Sequence, residues 1–157
     1  MSATEEEEAR FIFLSYARAD QGIATALVND LRLNGVDVRL GDAPRHSDES
    51  WAHTIERILL YADVVLVLVT PVSIESHWVR EEWSAALIRS KLVIPIIVGG
   101  GFELLTGPLA EIKGLVYEPG NGMSLQPLLR SLERLKGVEA NNYFAVGARL
   151  GTAGFKV

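Results

Sequence analysis

The chain has 157 residues, 48% of them hydrophobic and 22% charged, with a net charge of −5. That length and balance describe one folded domain, exclude a disordered chain, and argue against a nucleic-acid partner, whose phosphates call for a basic surface. The absence of cysteine excludes disulfides and thiolate metal sites and points to the reducing cytoplasm.

The acidic start, "MSATEEEEAR", has neither the basic head nor the apolar stretch of a secretory signal. Residues 1–9 therefore read as an acidic extension. "FIFLS", Phe11 to Ser15, is rich in strand formers and ends at the polar "YARADQG". Ile23, Ala24, Leu27, Val28, Leu31 and Leu33 then recur with the period of an amphipathic helix, and Gly35 stands where a helix cap is expected. Val36 to Leu40 alternates like a half-buried strand. "GDAPRHSDES" is a polar loop, and Ser50 is placed to cap a helix from Trp51 to Tyr61.

Val64 to Val69 is the longest strongly apolar run, far below the ~18 residues that span a bilayer, within the strand read from Asp63 to Val69. It has the pattern of a strand covered on both faces. A helix over Trp78 to Ile88 follows, then the apolar run "LVIPIIV", Leu92 to Val98, in which Pro95 removes the ladder donor that an interior strand uses. Gly99 to Gly107 reads as a loop, "GLVY" as a short fifth strand, and Ser124 to Leu135 as a leucine-rich helix. The last residues, 138–157, are glycine-rich and small, an extension or linker. His46, His53 and His77 fall at no metal-ligand spacing, so no metal is expected.

Strands alternating with helices imply an α/β domain, a flavodoxin-like three-layer arrangement around a five-stranded parallel sheet. The expected order is 2-1-3-4-5, with ligands in the crevice where strands 1 and 3 diverge. Several functions share that architecture. A phospho-accepting receiver needs an Asp ending strand 3 and a Lys ending strand 5, and this chain has "VTP" and "VYE" there. No flavin phosphate loop, dinucleotide fingerprint or P-loop is present.

The chain does resemble the Toll/interleukin-receptor (TIR) domain family, from Arg10 to about Leu135, which sets the domain at residues 10–137. "FIFLSYARAD" is similar to its first box, "VDVRLGD" to its second strand with the terminal Asp42, and "SWAHTIERILLYADVVLVLVTP" to its next helix and strand. "SHWVREEWSAAL" is similar to its Ser-x-Trp-Val segment, and "VIPIIV" to its fourth strand. One departure is Glu49, where the family's mobile loop usually has Gly.

Many TIR domains of the bacterial type cleave NAD+ between nicotinamide and ribose, whereas animal receptor TIR domains act as scaffolds and lack the glutamate four residues after the Trp. The resemblance places that catalytic glutamate at Glu82. Helix phase agrees: a core stripe of Val79, Trp83 and Ala86 puts Glu81 in water and Glu82 on a flank beside Trp78. The implied substrate contacts are Tyr16, Arg18, Asp42, Trp51, Ser76 and Trp78. Arg18 is either a pyrophosphate partner or a solvated surface residue, Trp51 either a stacking surface or core, and Ser76 also fits as a helix cap. NAD+ is then the substrate, with no further cofactor. The resemblance further implies self-assembly through loop 42–50, a fused or separate sensor or effector, and a bacterial anti-phage role without nucleic-acid or membrane partners. A non-enzymatic interaction module and a nucleoside-processing transferase are the competing readings.

Overall fold

The computed structural model describes residues 11–40, 59–112 and 114–136. Its order is β1 (Phe11–Ser15), α1 (Gln21–Leu33), β2 (Val38–Leu40), β3 (Ala62–Val69), α2 (His77–Ile88), β4 (Leu92–Ile97), β5 (Leu115–Val116) and α3 (Gln126–Lys136). The five strands form one sheet in the order β2-β1-β3-β4-β5, every pair parallel. This is the flavodoxin-like α/β order that the alternation of elements implied. The helix expected from Trp51 to Tyr61 falls mostly outside the described residues, and residues 59–61 are helical.

Side chains alternate across a strand, so the sheet has two apolar faces. Leu14, Val64, Leu66, Leu68, Ile94 and Ile96 pack with Leu27 and Leu31 of α1 and Leu128 and Leu132 of α3. Phe13, Val65, Val67, Val69, Val93 and Ile97 pack with Val79 and Ala86 of α2. All eight residues of β3 are buried, which explains the unbroken apolar run: a central strand has no solvent face to mark with polar residues.

Two helices end by the same device. After α1, the Gly35 N–H bonds the Arg32 carbonyl and the Val36 N–H bonds that of Leu31, with Gly35 at φ +80°. After α2, the Ser90 N–H bonds the Leu87 carbonyl and the Lys91 N–H bonds that of Ala86. Ser90 holds φ 58° there, in the left-handed region that glycine fills without steric cost.

Pro95 sits inside β4, opposite Val67 of β3. The Val98 N–H bonds Val69 of β3, whereas the Ile97 carbonyl accepts from Tyr117 beyond β5. Residues 95 and 97 therefore direct their backbone groups toward β5, which begins only at Leu115, opposite Ile96. The missing donor faces the stretch before β5 starts, and no ladder bond is lost. Gly114 makes this close approach feasible: a Cβ there would stand 2.7 Å from the Pro95 carbonyl oxygen and 2.9 Å from its Cβ. Beyond the strand, the Tyr117 hydroxyl donates to Asp30 on α1 at 2.5 Å. Burial first, and then the Asp30 carboxylate, push the Tyr117 ionisation well above its ordinary value.

Candidate active site at the carboxyl ends of β1 and β3

β1 and β3 are adjacent, and the chain leaves them in opposite directions, to β2 on one side and β4 on the other. An open parallel sheet has its natural crevice above such a divergence. Ser15 ends β1, fully buried on the face that α2 covers. Its hydroxyl donates to Glu82 Oε1 at 2.5 Å, joining residues 67 apart in the chain. The length is that of a strong hydrogen bond to a carboxylate.

The orientation of Glu82 differs from the flank position that the sequence suggested. The buried positions of α2 are Val79, Glu82 and Ala86, so the carboxylate lies within the inward stripe and is 1% exposed. Trp78 and Trp83 are both half-buried. At about 100° per residue they fall on the two sides of that stripe. The reason is the donor: the Ser15 hydroxyl at the end of β1 gives the buried carboxylate a hydrogen bond that an apolar neighbour would not. Glu81 faces outward as expected: its side chain is 43% exposed and pairs with His77 at 3.5 Å.

Ser76 caps α2, its Oγ accepting the Val79 N–H at 3.2 Å. Trp78, four residues before Glu82, shares its side of the helix. Tyr16 is buried in the cluster under α1 and α3, on the opposite face of the sheet from Ser15. Arg18 is exposed on the 3-10 turn Arg18–Asp20. The structure thus places Glu82 and Trp78 on one side of α2, and puts Ser76 at the helix N-terminus toward the side of Trp83, with Tyr16 on the other face of the sheet. Asp42, Trp51 and the loop 42–50 lie outside the described residues.

Sequence reasoning missed a second buried link across the divergence. The Thr70 hydroxyl donates to Asp20 Oδ2 at 2.6 Å and accepts the Val72 and Ser73 N–H groups at 3.2 and 2.9 Å. The Thr70 N–H in turn bonds Ser73 Oγ at 2.8 Å. Asp20, Thr70 and Ser73 are each at most 5% exposed. The loop after β1 and the loop after β3 are therefore fastened together above the crevice. A Thr and a Ser three residues apart after an apolar strand was the available signal for the turn; the Asp20 partner, 50 positions away, left none.

A separate cleft lies on the other side of α2, between Arg80, Trp83 and Ser76 and the chain joining β4 to β5, with Val69 and Leu109 on its walls. Glu82 is not among the residues that line it. Among the described residues no group of His, Asp and Glu is arranged to hold a metal ion, and no helix is long and apolar enough to cross a membrane.

A family model described as "TIR domain" matches residues 12–119. Among solved structures, the chain resembles a metazoan TIR-STING receptor from C. gigas in complex with 2′,3′-cGAMP. The two share 19% identity at a TM-score of 0.58, over 75% of this chain and 38% of that one. It also resembles the TIR domain of the Toll-related receptor TRR-2 from Hydra magnipapillata, at 18% identity and a TM-score of 0.57, over 78% of this chain and 94% of that one. The chain thus spans well under half of the first relative. At these identities the likeness is one of fold. No curated protein sequence matches the chain significantly.

Proposed function

Since the chain belongs to the TIR-domain family, we propose that it is an NAD+ nucleosidase, with Glu82 as the catalytic carboxylate. One observation carries the reading: Glu82 stands at the carboxyl end of β1, beside the switch point of the sheet, with its Oε1 held by Ser15. A purely structural helix position facing the sheet would be apolar, as Val79 and Ala86 are. A carboxylate there costs desolvation free energy that an apolar residue would not. Functional sites are where such costs are retained.

Cleavage breaks the bond between nicotinamide and ribose C1′, the electron pair leaving with the base. The ribose passes through an oxocarbenium-like state. Nicotinamide in NAD+ is already cationic and departs neutral, so no general acid is needed. The enzyme supplies a negative charge against the developing ribosyl cation and holds the sugar in place. Glu82 fills that role; Trp78 supplies an aromatic wall and exposed Arg18 a partner for the pyrophosphate. Asp42, Trp51 and Ser76 remain proposed substrate contacts, and Tyr16 acts through packing beneath the crevice. Water then attacks C1′ and loses a proton, giving linear ADP-ribose; attack by the adenine ring gives a cyclic product.

Because Glu82 is covered, substrate reaches it only when its surroundings rearrange. That fits a site completed by self-assembly through loop 42–50, in a bacterial anti-phage setting where NAD+ depletion or an ADP-ribose signal is the output. The test is to incubate the purified protein with NAD+ across a wide concentration range and resolve all products by mass. Nicotinamide released in step with linear or cyclic ADP-ribose supports the reading. No turnover at any concentration supports the non-enzymatic interaction module instead.

A further inference from the structure

Resting on that reading, we infer that Ser15 is a positioning residue for Glu82: its hydroxyl fixes the carboxylate's rotamer and keeps it ionised. Ser15 is 0% exposed and Glu82 1% exposed, so water does not compete for this contact. Ser15 ends a strand whose other residues are apolar, and it shares the side of β1 that carries Phe13, a core residue packed with α2. A hydroxyl there has no packing advantage over a methyl group. What it adds is a donor, and a donor to a carboxylate favours the charged form, the form that stabilises a ribosyl cation. The donor is also rigidly placed, since Phe13 to Ser15 pair with Val65 to Val67 of β3. A carboxylate aimed from a strand end is better defined than one aimed from a loop.

The titratable groups among the described residues around α2 are few. β1 and β4 contain no titratable side chain. Asp63 lies at the opposite end of β3 from Val67, the partner of Ser15. Glu75, on the turn Ser73–Glu75, is exposed, and Glu81 and His77 on α2 itself pair with each other at the surface. Arg80 of α2 is exposed and the buried Asp20 accepts from Thr70, so Ser15 acts on Glu82 as the donor to its Oε1.

The test compares wild type with Ser15→Ala and Ser15→Cys, the latter keeping the size while offering only a weak donor. Two quantities are read: the titration of the Glu82 side-chain carboxyl carbon by NMR, and the pH profile of NAD+ cleavage. In Ser15→Ala the Glu82 titration moves to higher pH, and the acid limb of kcat moves with it. Turnover near neutral pH falls about 10- to 100-fold with KM little changed, and Ser15→Cys lies between. An unmoved Glu82 titration in a folded Ser15→Ala or Ser15→Cys protein overturns the inference. Absence of NAD+ cleavage by wild type overturns the nucleosidase reading instead, Glu82→Gln cleaving at the wild-type rate removes Glu82 from the chemistry, and in either case the NMR titration still reports on the Ser15 contact alone.

Discussion

Replacing each of the two neighbouring glutamates by glutamine separates chemistry from folding. Glu82→Gln keeps an oxygen to accept the Ser15 hydroxyl at the observed 2.5 Å but removes the charge. A hydrogen bond to a charged group contributes about 1.5–3 kcal/mol and a neutral one about 0.5–1.5, so this contact weakens by roughly 1 kcal/mol. Against that, the native carboxylate is 1% exposed, and the desolvation of a buried ion costs several kcal/mol. The two effects oppose, and the expected unfolding free energy is equal to wild type or higher by about 1 kcal/mol. On the proposed chemistry turnover is expected to fall by ~10²-fold or more, since the charge proposed to meet the ribosyl cation is gone. Glu81→Gln removes an equal charge one residue away, from a side chain 43% exposed whose His77 partner is 83% exposed. There stability moves by less than about 0.5 kcal/mol and turnover little. Urea unfolding followed by circular dichroism and NAD+ consumption at equal protein concentration measure both quantities. A Glu82→Gln protein destabilised by more than about 2 kcal/mol would show that the carboxylate holds the fold together. One with wild-type turnover would remove Glu82 from the chemistry.

Gly114→Ala is expected to cost about 1–3 kcal/mol in urea unfolding, because the new Cβ meets the Pro95 backbone oxygen at 2.7 Å; a cost below measurement error would contradict that close approach. Ser90→Gly should stabilise by about 0.5–1 kcal/mol, glycine removing the left-handed penalty at φ 58° at some cost in unfolded-chain entropy. Tyr117 ionises less readily when folded, so the unfolded chain loses its proton first, from about pH 10 upward. Its contribution is fully present below that pH and is lost as pH rises further; stability should fall more steeply above pH 10 in wild type than in Tyr117→Phe.

The strands were legible because their signals are local. β3 announced itself as an apolar run, and Gly35 marked the end of α1 because a positive φ asks for that residue. Pro95 looked like a contradiction only until the shortness of β5 and the approach of Gly114 were known, and both are tertiary facts. The phase of α2 was misjudged for a related reason. Taking Trp83 as a core anchor rotated the helix by several tens of degrees and put Glu82 on a flank. Hydrophobicity ranks indole above carboxylate for burial, and that ranking holds only where no donor waits inside. Ser15 is such a donor, and nothing between positions 15 and 82 records the pairing. The Asp20–Thr70 bond was hidden in the same way, whereas β1 and β3, which bring all four residues within reach, were plain.

The Ser15–Glu82 contact also constrains how descendants of this chain can change. Replacing Glu82 by an apolar residue leaves a hydroxyl sealed in the core with its acceptor removed, and replacing Ser15 alone strips a sealed carboxylate of a donor. Each single step breaks the bond and leaves one of its two polar groups behind, which costs about 1–3 kcal/mol, while the double change to an apolar pair is nearly neutral. Loss of the acid by drift is therefore a two-step path through a weakened intermediate. If the proposed NAD+ cleavage is given up for pure scaffolding, the two positions are expected to change together, so that the residue at the end of β1 serves as a readable record of whether the acid was ever abandoned.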